Sequence, residues 1–173
     1  MGTKSTVFPG SRPPERSVVK TLAVLPSRFA ASRFPGKPLA LIAGKPMIQW
    51  VWEAARSAAG VDKVVVATDD ERIQSVVHDF DGQVVMTDPG LSSGTDRVAA
   101  ALEHLDEPFD VVLNIQGDEP AMHPDTIAAV VRLMAEDPAD RHGLAQFLGV
   151  DLVDRGGRGR RQHHGRRNRA GQP

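Results

Sequence analysis

Short runs rich in Val, Leu and Ile at residues 21–25, 64–67, 83–86 and 110–115 alternate with segments of helical period, and this alternation most constrains the fold. Continuous apolar runs of four to six residues suit strands buried on both faces. The intervening segments read as helices. In 46–59, Met47, Ile48, Val51, Trp52 and Ala55 recur at three- and four-residue spacing, with Pro46 in the first turn and Gly60 past the end. Thr68-Asp69-Asp70-Glu71 reads as a capping box opening a helix to about residue 78. Segments 92–105 and 124–135 carry apolar stripes at Val98, Ala101, Leu102 and Leu105, and at Ile127, Val130, Val131 and Met134. Strands alternating with helices predict an α/β fold: a parallel, doubly wound sheet with helices on both faces and right-handed crossovers.

The pattern starts near Lys20 and stops after Pro138. Residues 1–19, rich in Pro, Ser and Arg, read as a disordered extension. Residues 20–140 form the α/β domain, and no strand is expected to follow it. Residues 141–173 read as a disordered Arg/Gly-rich tail. Charge divides at the same place: 13 Lys+Arg against 20 Asp+Glu up to residue 140, then 8 Arg against 2 Asp. Such a tail suggests RNA binding. An out-of-frame translation of a GC-rich gene gives the same Arg/Gly/His/Gln mixture, and this reading is favoured, so no nucleic-acid partner is expected. The 173 residues hold no cysteine, which excludes disulfides and thiolate metal sites. No apolar run approaches the roughly 20 residues needed to span a bilayer, and no secretory h-region is visible. A soluble, cytoplasmic protein without a membrane partner is expected.

The candidate chemistry lies where strands end. Residues 26–39 follow the first strand and carry Arg28, Ser32, Arg33, Gly36 and Lys37. Three fixed cations at the C-terminal end of a parallel strand suit a polyphosphate. Neither a Walker loop nor G-x-G-x-x-G is present, and the six histidines show no metal-ligand spacing. The fourth strand runs into Asn114-Ile115-Gln116-Gly117-Asp118-Glu119-Pro120. There Asp118 is the candidate Mg²⁺ ligand, Gly117 permits close backbone approach, and Gln116 offers hydrogen bonds to a base or sugar. Ser92-Ser93-Gly94-Thr95-Asp96-Arg97 opens a helix whose free N–H groups favour an anion or a polar base edge. Asp69-Asp70 reads as helix capping. Trp50 and Trp52 face different directions, one into the core and one toward a partner chain.

Taken in order and spacing, residues 25–39, Gly44-Lys45-Pro46-Met47-Ile48, Val66-Ala67-Thr68-Asp69, Ser93-Gly94-Thr95-Asp96-Arg97 and residues 114–120 resemble the 3-deoxy-manno-octulosonate (Kdo) cytidylyltransferases. The resemblance implies a Rossmann-like nucleotide-diphospho-sugar-transferase fold, here truncated. It also implies Mg²⁺-dependent transfer of CMP from CTP to Kdo for lipopolysaccharide biosynthesis, with release of pyrophosphate. Arg28, Ser32, Arg33 and Lys37 would then hold the triphosphate, with Arg33, Lys37 and Asp118 as catalytic residues. Asp118 would bind the metal, and Gln116, Ser93 and Thr95 would help to place the cytidine. Two departures stand out: Ser27 replaces the family's usual Ala, and the family's second half, which supplies the sugar-acid pocket, a further acidic ligand and much of a homodimer interface, has no counterpart after residue 140. The alternatives are an inactive fragment that binds CTP–Mg²⁺, a related CMP-sialic-acid synthetase, and an RNA-binding protein acting through its tail.

Overall fold

A computed structural model describes residues 19–30, 34–136 and 150–152. Five strands form the main sheet in the order β5-β4-β1-β6-β7: β1 (Thr21–Ser27), β4 (Lys63–Thr68), β5 (Gln83–Met86), β6 (Val111–Ile115) and β7 (Val150–Leu152). The first four in chain order run parallel, with Val24 of β1 level with Val65 on one side and Asn114 on the other. A small antiparallel ribbon, β2 (Leu41–Ile42) with β3 (Lys45–Pro46), projects between β1 and α1. The helices are α1 (Met47–Ser57), α2 (Glu71–Asp79), α3 (Gly94–Glu103) and α4 (Pro124–Glu136).

The alternating side chains of each strand divide between two cores. Ala23, Leu25, Val64, Val66, Leu113 and Ile115 pack with α1, α2 and α4 on one face. Leu22, Val24, Val65, Ala67 and Val112 pack with Val98, Ala101 and Leu102 of α3 on the other. Burial on both faces is why these strands are apolar throughout rather than at every second residue. Gly60 shows how tightly α1 and α4 approach: at φ +89 it would place a Cβ 2.8 Å from Val131 Cγ1. Trp52 joins the core edge and meets the Phe80 ring at 5.1 Å, whereas Trp50 points outward and donates its indole N–H to the Ile42 carbonyl.

Three sequence expectations need correction. Pro46 is not helical: its ψ of 141 is extended, it pairs with Leu41, and α1 begins at Met47. The capping residue of α2 is Asp70, which accepts from the Arg72 N–H, while Thr68 ends β4 and accepts from the Asp70 N–H. A strand does follow Pro138, since β7 pairs antiparallel with β6, Asp151 opposite Asn114. A three-residue edge strand falls below the length at which period is readable, and Asp151 interrupts its apolar run. The expected extension up to residue 18, the expected domain end and start of the tail at 137–149, and the tail from 153 on lie outside the described residues.

The N-terminal edge of the sheet is tied by charge. Glu107, just before β6, accepts from Lys20 at 2.5 Å and Lys63 at 2.6 Å, bracing the starts of β1 and β4. Hydrogen bonds from Lys20 and then Lys63 bring its carboxyl down to about 2 from an ordinary 4.5. A carboxylate with a lowered folded-state pKa stabilises the fold above its ordinary pKa and loses that contribution as pH falls through the lowered value. The melting midpoint of Glu107→Gln is therefore expected below that of the parent chain at neutral pH, with the gap closing toward pH 2 in a series of thermal melts.

Candidate functional site

The strand order turns back at β1, since the chain moves outward through β4 and β5 and then returns to β6 on the opposite side. A crevice at the C-terminal ends of strands on either side of such a reversal is where open α/β sheets bind ligands. A cleft of about 210 Å³ opens there, lined among others by Ser27, Arg28, Lys37, Gln116, Gly117 and Asp118.

Each of these side chains is placed by a local device. Ser27 ends β1 and is buried at 3% exposure. At Gly117 an added Cβ would lie 3.1 Å from Ser27 Oγ, a tight contact, and 3.5 Å from the Pro26 carbonyl oxygen, an ordinary one. Ser27 is accommodated against this bare backbone. Gly117→Ala is expected to destabilise the fold by about 1 kcal/mol, the low end of overpacking costs. Combining it with Ser27→Ala should restore much of that loss, as read from urea midpoints in a double-mutant cycle.

Arg28 follows directly and donates from Nη1 to the Ser92 carbonyl at 3.1 Å, joining the loop to the start of α3. Its Nε is buried without a partner among the described residues, so the guanidinium retains donor capacity. Farther along, Gly36 adopts φ +72 as the cap of a 3₁₀ turn over Lys37–Leu39, and this turn presents Lys37. Lys37 Nζ lies 2.7 Å from Asp118 Oδ2, with both groups partly open to solvent. The loop after β1 and the loop after β6 thus place a cation and a carboxylate side by side in one cleft.

At the third expected segment, Ser93 caps α3, accepting from the Asp96 N–H at 3.0 Å. The Ser93 hydrogen bond, joined by one from Ser92, holds the Asp96 carboxyl below its usual range. Gly94 reaches the cleft wall, and Ser93 and Thr95 stand exposed on either side of it. The cleft therefore gathers Arg28, Lys37, Gln116 and Asp118, with Ser93 and Thr95 at its margin. Ser32 and Arg33 lie outside the described residues.

Sequence reasoning missed the group that fixes this margin from behind. Arg97, on the first turn of α3, is completely buried. Its Nη2 donates to Asp69 Oδ2 at 2.9 Å and its Nη1 to the Thr87 hydroxyl. One guanidinium thus joins the ends of β4 and β5 to the helix that lines the cleft. Asp69, expected with Asp70 to cap a helix, is instead the partner of this arginine, and Asp70 alone caps α2.

For a metal, the donor set is sparse. Among the described residues no group of three or more His, Cys, Asp or Glu is assembled to hold an ion. In the cleft Asp118 is the carboxylate that a divalent cation could use, since such an ion can take one or two carboxylates and complete its shell with substrate phosphates and water. A larger cavity of about 620 Å³ opens at the opposite edge of the sheet, but Lys20 and Lys63 on its wall are already paired with Glu107. It offers a polyphosphate less than the smaller cleft does.

The sequence profile of the cytidylyltransferases matches residues 22–154. The chain belongs to the cytidylyltransferase family. Among curated members, it is 47% identical over 121 residues to the 3-deoxy-manno-octulosonate cytidylyltransferase of Maricaulis maris, covering 70% of this chain and 47% of that one. It is 50% identical over 133 residues to the 8-amino-3,8-dideoxy-manno-octulosonate cytidylyltransferase of Shewanella sp. (strain ANA-3), covering 76% and 54%. A solved CMP:2-keto-3-deoxy-manno-octonic acid synthetase complexed with CTP superposes with a TM-score of 0.66 at 44% identity, over 69% of this chain and 49% of that one. A nucleotidyl transferase from Methanothermobacter, at 23% identity and a TM-score of 0.57, shares the fold. This cytidylyltransferase sequence spans about half the length of the curated relatives that it matches. Apart from Thr21, the first residue of β1, the matched span contains every strand described for the main sheet, β7 included. Among the described residues no helix is long and apolar enough to cross a membrane.

Proposed function

We propose that this chain carries the nucleotide site of a CTP:3-deoxy-manno-octulosonate cytidylyltransferase, which forms CMP-Kdo and pyrophosphate. The observation that carries the reading is the Lys37–Asp118 pair beside Arg28 and Gln116 at the β1/β6 switch point. Its cation and carboxylate match the two charges of a metal-bound triphosphate.

In the transfer, the anomeric hydroxyl oxygen of the sugar acid bonds to the α-phosphorus of CTP and loses its proton to solvent, as the bond from that phosphorus to the oxygen bridging to the β-phosphate breaks. Negative charge gathers on the departing pyrophosphate, and fixed donors aimed at that charge supply most of the acceleration in such displacements. Arg28 and Lys37 fill this role, together with Ser32 and Arg33 of the same loop. Gln116 donates to the base or ribose, with Ser93 and Thr95 at the same margin. Gly117 leaves room for the nucleotide against the backbone. Asp118 would hold Mg²⁺, which when bound neutralises the triphosphate and polarises the α-phosphate.

The acceptor is a 3-deoxy-manno-octulosonate or its 8-amino counterpart, the two acids that the relatives' names carry. The reaction belongs to lipopolysaccharide synthesis in the cytoplasm, and the intact enzyme works as a homodimer. Incubating the chain with CTP, Mg²⁺ and each acid tests the proposal. Pyrophosphate release that needs all three components is the expected result. Binding of CTP without release under any acceptor would overturn the transfer reading.

A further inference from the structure

The loop that carries Arg28 and Lys37 is closed by contacts that the cleft itself does not use. The Gly36 N–H donates to the Phe29 carbonyl at 2.8 Å, pinching the loop shut between residues 29 and 36. The Phe29 ring lies against Gly36, where a Cβ would come within 3.0 Å of it, and packs half-buried against the core. Above the ring sits the Arg72 guanidinium of α2, 3.2 Å from the ring centroid. That guanidinium is itself aimed by Asp70: Nε reaches Oδ1 at 2.9 Å and Nη2 reaches Oδ2 at 2.6 Å. Phe29 is thus held between the glycine of its own loop and an arginine 43 positions away.

We infer that Arg72 is a positioning residue for the phosphate-binding loop, acting through the Phe29 ring to hold Arg28 and Lys37 where a triphosphate meets them. This rests on the nucleotide reading for its functional half and on geometry alone for its structural half. Arg72 is 60% exposed at its side chain, and an exposed pair of this kind adds little to global stability. Its work is local. A planar cation over the outer face of a half-buried ring, oriented by two charge-assisted hydrogen bonds, restricts the ring.

Hydrogen exchange on the full chain, with and without CTP–Mg²⁺, tests the clamp in Arg72→Ala, Arg72→Lys and Phe29→Leu. Removal of an exposed cation–π contact corresponds to roughly two- to fivefold. The Gly36 amide is expected to exchange faster by that factor in Arg72→Ala and Phe29→Leu, while amides in the centre of α2 stay unchanged. Arg72→Lys should recover part of the protection. The affinity for CTP should fall by a similar factor in the first two variants. Unchanged Gly36 exchange in both would overturn the clamp, as would faster exchange spread equally through α2. Faster Gly36 exchange with unaltered CTP affinity would overturn the positioning role. A parent chain that binds no CTP would defeat the nucleotide reading, while the exchange data would still decide the clamp.

Discussion

Lys37→Ala is expected to weaken CTP binding roughly 10- to 100-fold, since a hydrogen bond to a charged partner is worth about 1.5–3 kcal/mol. The same substitution should leave the melting midpoint of the free chain shifted by no more than a few degrees. The reason lies in the setting of its ion pair. Lys37 and Asp118 meet at 2.7 Å with side chains 35% and 52% exposed, and exposed pairs of this kind contribute only about 0–1 kcal/mol to stability. Affinity and stability therefore separate at this residue. Asp118→Asn should behave differently again, losing the Mg²⁺-dependent part of CTP binding and retaining more of the metal-free part. Thermal melts of each variant with CTP, with and without Mg²⁺, give both quantities in one series. Equal loss of the CTP-induced shift in the two variants whether or not Mg²⁺ is present would remove Asp118 from the metal.

The second large effect concerns Asp69→Ala, expected to destabilise the fold by about 3–5 kcal/mol. Arg97 is completely buried, and Asp69 is its sole anionic partner among the described residues. Breaking a buried pair from one side leaves an uncompensated charge, which is the costly case. Against a total stability of about 5–15 kcal/mol for an ordinary domain, that loss threatens folding itself. Asp69→Asn, which keeps an acceptor oxygen, should cost less. Removing the Thr87 hydroxyl by Thr87→Val should cost less still, because a neutral acceptor is lost and the charge pair remains. Urea midpoints that rank the three substitutions in any other order would contradict the role given to Arg97.

These two residues mark the boundary of what the sequence makes legible. Lys37 and Asp118 are readable because they follow strands whose apolar runs are continuous, so both must emerge at the same sheet edge. The parallel order of β1, β4, β5 and β6 follows from the same runs. Arg97 is not readable as a core residue, because nothing in Ser-Gly-Thr-Asp-Arg distinguishes a buried arginine from a solvated one. Its burial depends on where β4 and β5 end, and that is a tertiary fact. The pairing of β2 with β3 and that of β7 with β6 were also hidden, since two or three residues carry no period. Arg72 reads as a surface helix residue by every local rule, and only the packing of the loop over α2 reveals what it touches.

The proposed function rests on the β1/β6 cleft binding CTP with a divalent cation. A calorimetric titration of the intact chain with CTP in Mg²⁺ tests it most directly. One CTP per chain, dependence on Mg²⁺, weaker binding of ATP and loss of most of the affinity in Lys37→Ala are expected. Absence of binding, or binding that Lys37→Ala leaves unchanged, would contradict it.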